Sequence, residues 1–249
     1  MTVWLVGGRD PTGGAGVDRD LATARAYAPE LAAAIVVTAE TLQGDGRPAR
    51  ATARAPAELE RELAAMPAAR AVKLGLVPDS LAQTVIEAAR ARGRPVVLDP
   101  VMQASDGGAL GASAERLVRI ASSVATLITP NLGEALALAR VAHLDPDALI
   151  AAVASECAPA AVLLKGGHGD DPQRVIDRLW WRGAIHHIER ARVPGPDPRG
   201  TGCALATAIA CELARGAEIV TACERAIAWL DDARNRTVPG PDGRPHLAF

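Results

Sequence analysis

The sequence predicts an α/β fold built on a mostly parallel sheet with helices on both faces. Three observations predict it. Short runs of β-branched and aliphatic residues alternate with longer amphipathic stretches along nearly the whole chain, the order that parallel strands joined by crossover helices require. The 249 residues are 49% hydrophobic, enough for a sizeable core, and no internal repeat or long linker divides them, which favours a single domain over 1–249. Six of the strand-like runs are followed by Gly, Pro, Asp, Asn or Gln, at the carboxyl ends where such sheets gather their ligand-binding residues.

The elements follow in order. Val3-Trp4-Leu5-Val6 forms a strand over 3–6, stopped by Gly7-Gly8. A helix over 18–27 comes next, then a strand over 34–38 with Ile35, Val36 and Val37 at its centre. The alternation continues with a helix over 57–66 behind Pro56, a strand over 71–74, a helix over 80–92 ended by Gly93, and a strand over 95–98. A helix over 112–122, a strand over 126–129, helices over 132–140 and 146–157, and a strand over 161–165 extend it. Two longer strands, 174–181 and 184–190, flank Arg182-Gly183 and read as a hairpin. Helices over 203–215 and 219–236 come last; in the first, Leu205, Ile209 and Leu213 share one apolar face. Residues 239–249 are rich in Pro and Gly and are expected to lie over the surface.

Composition narrows the function classes. A net charge of −2 points to neither a nucleic-acid nor a membrane-surface partner, though it leaves room for a local basic patch. No apolar run reaches the length of a membrane span, and Met1 leads straight into a strand without a signal peptide. The expectation is a cytoplasmic protein. Cys157, Cys203, Cys211 and Cys223 show neither CxxC spacing nor a Cys/His metal pattern, and all but Cys203 read as small buried residues. Of the 27 basic residues only Lys73 and Lys165 are lysines. Where Arg replaces Lys so widely, the two that remain either mark places needing a compact ammonium or are retained by chance.

The chemistry concentrates in a few segments. Gly200-Thr201-Gly202-Cys203 leads into a helix. Glycines let several N–H groups converge, and the helix dipole adds positive potential, which makes an anion site suited to phosphate. Cys203 in the first turn would have a lowered pKa and could act as base or nucleophile; the alternative is a Gly turn before a buried helix. The loop 7–16 is neither a Walker A loop nor GxGxxG, so its glycines suit close approach to a small flat ligand. Asp20, one turn on, could accept hydrogen bonds from that ligand or be a solvated helix residue. Asn131 and Glu134 share a helix face and could hold Mg²⁺, or form a capping box; the two readings are compatible. Lys165 at a strand end could reach a phosphate. His168 could do the same or be a loop residue, and Asp99 could be a metal or water ligand or a turn residue. His186 and His187 receive no role.

With these residues collected, the chain resembles the ribokinase-like superfamily, and within it the hydroxymethylpyrimidine and phosphomethylpyrimidine kinases of thiamine biosynthesis. The resemblance is carried by Gly8-Arg-Asp-Pro-Thr-Gly-Gly-Ala-Gly-Val-Asp-Arg-Asp-Leu21, Val72-Lys-Leu-Gly-Leu76 and Val96-Val-Leu-Asp-Pro-Val-Met102. It continues in Thr129-Pro-Asn-Leu-Gly-Glu-Ala135, Val162-Leu-Leu-Lys-Gly-Gly-His168 and Gly200-Thr-Gly-Cys-Ala-Leu205. Sugar kinases of the superfamily put Asp where Cys203 stands. The resemblance implies a three-layer α/β/α ribokinase-like fold, ATP and Mg²⁺ as cofactors, and a small pyrimidine substrate. Residue by residue, Ala15, Asp20 and Gln43, with Leu76, match substrate contacts. Asp99, Asn131, Glu134, Lys165 and Gly202 match the nucleotide and Mg²⁺ network, with Asp99 and Glu134 nearest the metal. Gly200, Thr201 and Gly202 match the anion hole, Lys165 the lysine at the phosphates, and Cys203 the base. A homodimer is common among such proteins.

Some positions depart from the pattern. Arg9 stands where a small hydroxyl residue is usual, Gln103 where an aliphatic one is common, Ser105 where a lysine follows Asp-Pro-Val-Met, and Arg199 where a His precedes Gly-Thr-Gly-Cys. The family's C-terminal Gly/His-rich signature is faint in 239–246. Arg9 or Arg199 is the candidate to replace the charge missing at Ser105, and 103–111 is the candidate flap. Two other readings stay open: a pyridoxal-type kinase, and a weakly active or non-catalytic pyrimidine-binding module.

Overall fold

Described in a computed structural model are residues 1–42, 49–103, 110–167, 169, 171–195 and 197–249. Along the chain run β1 (Thr2–Arg9), α1 (Gly16–Tyr27), β2 (Ala32–Leu42), β3 (Arg50–Ala53), α2 (Pro56–Ala65), β4 (Ala71–Leu74), a 3₁₀ turn (Asp79–Leu81), α3 (Ala82–Arg92) and β5 (Val96–Leu98). They continue with α4 (Ala114–Val124), β6 (Leu127–Ile128), α5 (Leu132–Ala139), α6 (Pro146–Glu156), β7 (Ala161–Leu164), β8 (Arg174–Trp181) and β9 (Ala184–Ala191). Last come α7 (Thr201–Arg215), α8 (Ile219–Arg234), β10 (Thr237–Pro239) and β11 (Pro245–Leu247).

Among the described residues nine strands form one sheet in the order β3-β2-β1-β4-β5-β6-β7-β8-β9. The six from β2 to β7 pair parallel, and β3, β8 and β9 join antiparallel at the edges. The expected α/β class with a mostly parallel sheet is therefore what the chain adopts. The period of two along each strand sorts the core into two layers. Val3, Leu5, Ala71, Val97 and Leu163 pack against α1, α7 and α8. Trp4, Val6, Val72, Leu98 and Val162 pack against α2 to α6. Lys73 shares the register of Leu5 and so faces the α1 and α7 side, buried to 1% exposure.

Local chemistry sets the helix ends. Asp145 caps α6 by accepting from the Asp147 and Ala148 N–H groups, with Pro146 at the first turn. Gly216, left-handed at φ 90°, ends α7. Two expectations are corrected and a third is refined. The edge strand β3 was unforeseen because its Arg-Ala-Thr-Ala carries no apolar run. Helix α4 lies two residues later than 112–122, because Ser113 caps it through the Arg116 N–H. Residues 239–249 lie over the surface for most of their length but are not the structureless tail their Pro and Gly suggest: β10 and β11 pair, His246 and Leu247 are buried, and the Leu247 carbonyl accepts from Arg19 at 2.7 Å. Among the described residues no helix is long and apolar enough to cross a membrane.

Candidate active site

Sheet order reverses at β1: the chain first adds β2 and β3 on one side of it, then β4 and the later strands on the other. A crevice opens beyond the carboxyl ends of the strands at such a switch point. It is a cavity of about 340 Å³ lined from both sides by the expected residues: Ala15, Asp20, Leu76, Asp99, Asn131, Glu134, Lys165, Gly200, Thr201, Gly202 and Cys203. Gln43, Ser105 and His168 lie outside the described residues, as does the middle of the candidate flap; Gln103 at its start lines the cavity.

The anion loop is built by backbone geometry. Gly200 is left-handed at φ 85°, and a Cβ there would lie 2.4 Å from the Gly14 carbonyl oxygen, so no other residue lets the two glycine loops touch. Thr201, Gly202 and Cys203 then open α7, with N–H groups that have no partner within the helix. Gly16 plays the matching part on the other loop: at φ 67°, a Cβ would lie 2.3 Å from the Gly8 carbonyl oxygen, and the residue bridges back to Arg9.

Both lysines sit in this cavity and both are held by carboxylates. Lys165 Nζ lies 3.1 Å from Asp99 Oδ1 and 3.8 Å from Glu134 Oε2. Burial works against its charge, yet Asp99 and Glu134 together raise its pKa. Burial lifts Glu134 to about 7, against the pull of Lys165. Asn131 and Glu134 form the full capping box: Asn131 Oδ1 accepts from the Glu134 N–H at 2.9 Å, and Glu134 Oε2 from the Asn131 N–H at 2.8 Å. Among the described residues no group of three or more His, Cys, Asp or Glu side chains could hold a metal alone. The pair Asp99 and Glu134 nonetheless suits Mg²⁺, which keeps waters and shares substrate phosphates with one or two carboxylates.

Lys73 Nζ meets Asp20 Oδ2 at 2.7 Å, and Thr207 Oγ1 donates to Asp20 Oδ1 at 2.9 Å. Asp20 is therefore no solvated helix residue but fully buried. Burial raises its pKa and Lys73 opposes that rise. Cys203 lines the cavity in the first turn of α7, as expected, but its thiol is not lowered. Enclosure pushes it up to about 11, and the Lys73 charge and a hydrogen bond from the Gly16 backbone offset only part of that.

Neither arginine named to replace the missing charge is turned to that use. Arg9 is half exposed and pairs with Asp18 at 3.4 Å and Glu40 at 3.6 Å. Arg199 is buried between Asp10 at 2.9 Å and Asp242 at 2.6 Å, and Asp242 in turn meets His246 Nε2 at 2.9 Å. This chain joins the first glycine loop, the anion loop and the C-terminal hairpin. Sequence reasoning missed a second buried group on the cavity wall. Asp177 Oδ1 accepts from the Gly166 N–H at 2.6 Å and its other oxygen pairs with Arg190, which also meets Asp231 at 2.7 Å. The period-two burial of β8 puts Asp177 in line with Val175 and Leu179 on the inner face, and a carboxylate among inward apolar residues was the available signal.

The profile of the family described as phosphomethylpyrimidine kinase matches residues 10–244. The hydroxymethylpyrimidine/phosphomethylpyrimidine kinase of Streptomyces coelicolor is 33% identical over 239 residues, 93% of this chain and 87% of that relative. The protein of the same name from Synechococcus elongatus is 34% identical over 250 residues, 97% of this chain and 94% of the relative. Among solved structures, the ADP complex of Bacillus subtilis pyridoxal kinase superposes with a TM-score of 0.85 at 21% identity, covering 99% of this chain and 96% of that one. That likeness is one of fold.

Proposed function

The chain belongs to the phosphomethylpyrimidine kinase family, and we propose that it transfers the terminal phosphoryl group of ATP within thiamine biosynthesis. The acceptor is the hydroxymethyl oxygen of 4-amino-5-hydroxymethyl-2-methylpyrimidine or the phosphate of its monophosphate. The observation that carries this reading is the meeting of the α7 N-terminus with Lys165. A Cβ on Gly202 would lie only 3.3 Å from Lys165 Nζ, so the amide row and the ammonium are within reach of one phosphoryl group.

Catalysis in such a site is mostly positioning and charge stabilisation. Ala15 and Leu76 would flank the ring and Asp20 would accept from its amino group. The N–H groups of Gly200 to Cys203 would receive the charge that develops on the phosphoryl oxygens, with Lys165 opposite. As the acceptor oxygen bonds to phosphorus, the bond from phosphorus to the bridging oxygen of ADP breaks. The hydroxyl proton would pass to the Cys203 sulfur in its thiolate form, after the thiol has lost its own proton. Mg²⁺, held by Asp99 and Glu134 directly or through water, would supply further neutralisation of the phosphates. A cytoplasmic location, where ATP is available, and a homodimer complete the proposal; sedimentation decides the latter.

The test is ADP release measured with the pyrimidine, its monophosphate and pyridoxal in parallel. Turnover with either pyrimidine is the expected result. Turnover with pyridoxal alone, or binding of the pyrimidine without ADP release, would overturn the reading.

A further inference from the structure

Cys203 and Thr207 are four residues apart on α7 and share a helix face. Thr207 holds Asp20, and Asp20 holds Lys73, in an ion pair exposed by no more than 1%. Asp20, Lys73 and Cys203 line one cavity. The cysteine thus stands one helical turn from the threonine that holds this buried pair, and the ammonium, little screened by water, lines the same cavity. Its other charged neighbours are Arg19 from α1, Asp99 beyond β5 and Lys165 beyond β7.

We propose that Lys73 is a positioning residue that makes the Cys203 proton easier to remove, and that Asp20 sets how strongly it does so. The carboxylate has lone pairs left after accepting from Lys73 and Thr207. A ligand N–H bound there draws on the same negative charge, so Lys73 is less neutralised and acts more on the sulfur. Occupancy of the ring site and readiness of the base are then coupled through one ion pair. An arginine would not serve: a guanidinium is larger, and Gly75 already leaves so little room that a Cβ would lie 2.8 Å from Lys73 Nζ. This fits the retention of a lysine here in a chain that uses Arg almost throughout.

The inference rests on the kinase reading for the purpose of Cys203, but its test needs no substrate and no turnover. The rate of Cys203 alkylation is followed by peptide mass spectrometry between pH 7 and 9; Cys157, Cys211 and Cys223 are buried and serve as internal controls of folding. Iodoacetamide and N-ethylmaleimide are used side by side, since a change of access alters their ratio and a change of acidity does not. Lys73→Met is expected to slow alkylation about tenfold, one pKa unit, whereas mere loosening of the site would hasten it. Asp20→Asn is expected to react about tenfold faster than the double variant Asp20→Asn with Lys73→Met, which isolates the lysine in a matched background. The double variant carries no buried charge at this pair and is the one most tolerant of folding. Either comparison decides if the other cannot be made. Equal rates within a pair, or a faster Lys73→Met protein, overturn the proposal, whatever the enzyme proves to phosphorylate.

Discussion

Replacing Gly202 by Ala separates the anion site from the fold that carries it. Gly202 is the second residue of α7, where Ala is a better helix former than Gly by about 0.5–1 kcal/mol. An added methyl would meet no backbone. Its contacts are Lys165 Nζ at 3.3 Å and the Asp99 carboxylate at 3.7 and 3.9 Å. The ammonium, at the end of a flexible side chain, can yield by the little this needs, at some cost to its 3.1 Å contact with Asp99. The net expectation is a Tm from unchanged to about 3 °C higher, since 1 kcal/mol moves a domain of this size by about 2–4 °C. The same methyl lies between the amide row and Lys165, where the phosphoryl oxygens must sit. Displacing one donor of such a site lowers kcat by about 10²–10³. Calorimetry gives the first number and coupled ADP release the second, with the KM for the pyrimidine near that of the parent. A kcat within about threefold of the parent would refute the placing of the phosphoryl group between Gly202 and Lys165.

The remaining predictions concern charge. If Cys203 is the base, a thiol near 11 makes kcat rise about tenfold per pH unit from 7 to 10, and Cys203→Ala lowers kcat by about 10²–10⁴ and flattens that profile; a flat profile in the parent removes Cys203 from the role. Lys165→Arg is expected to lose at least about tenfold in kcat, because a planar fork cannot replace the ammonium beside Gly202; full activity would mean that charge alone suffices. Asp242, held by Arg199 and His246, lies at about 2 against an ordinary 3.8. A depressed carboxylate stabilises the fold above its unfolded pKa and loses that effect as pH falls through its folded one, here from about 4 to 2. That depression corresponds to about 2 kcal/mol, so the Tm gap between the parent and Asp242→Asn should be full at pH 6 and close toward pH 2; a gap independent of pH would show that the lost stability is not carried by the charge.

The parallel sheet was legible because its strands are buried on both faces and read as unbroken apolar runs, as in Ala161-Val-Leu-Leu164. Elements whose pairing rests on neighbours distant in sequence were not. β3 takes its place from β2 and carries no apolar signal of its own. β10 and β11 pair with each other, and β11 is fixed by the Arg199 bridge to His246 and by Arg19 at the Leu247 carbonyl, contacts that no spacing in 237–249 announces. In the site, backbone devices were readable from glycine placement, while the direction of the Cys203 shift was not. A helix N-terminus lowers a thiol, but the enclosure of this one by Gly16 and the cavity wall depends on loops 187 residues apart, and the cost of burying a thiolate is the larger effect. Scarcity succeeded where geometry was silent: counting lysines singled out Lys73 and Lys165, both of which turned out to be bound to carboxylates inside one cavity.

Arg199 shows how a departure from a motif can be absorbed without reaching the chemistry it borders. An imidazole at this position has two ring nitrogens, one on each side, and carries a full charge only when protonated. A guanidinium is charged at every working pH and offers a fork of donors, so it can take Asp10 and Asp242 at once. Its carboxylate partners are already committed locally, Asp10 to the Thr12 N–H at 3.0 Å and Asp242 to the Arg244 N–H at 3.2 Å. The charge is thereby balanced behind the anion loop, while the backbone N–H of Arg199 bonds to the Pro245 carbonyl at 2.8 Å and fixes the C-terminal hairpin in the same stroke. A residue so held cannot swing toward phosphate without breaking two buried ion pairs, at a cost of about 3–5 kcal/mol for each partner left alone. The arginine thus serves the phosphates by holding the loop that presents the α7 amides beside Lys165, rather than by reaching them itself.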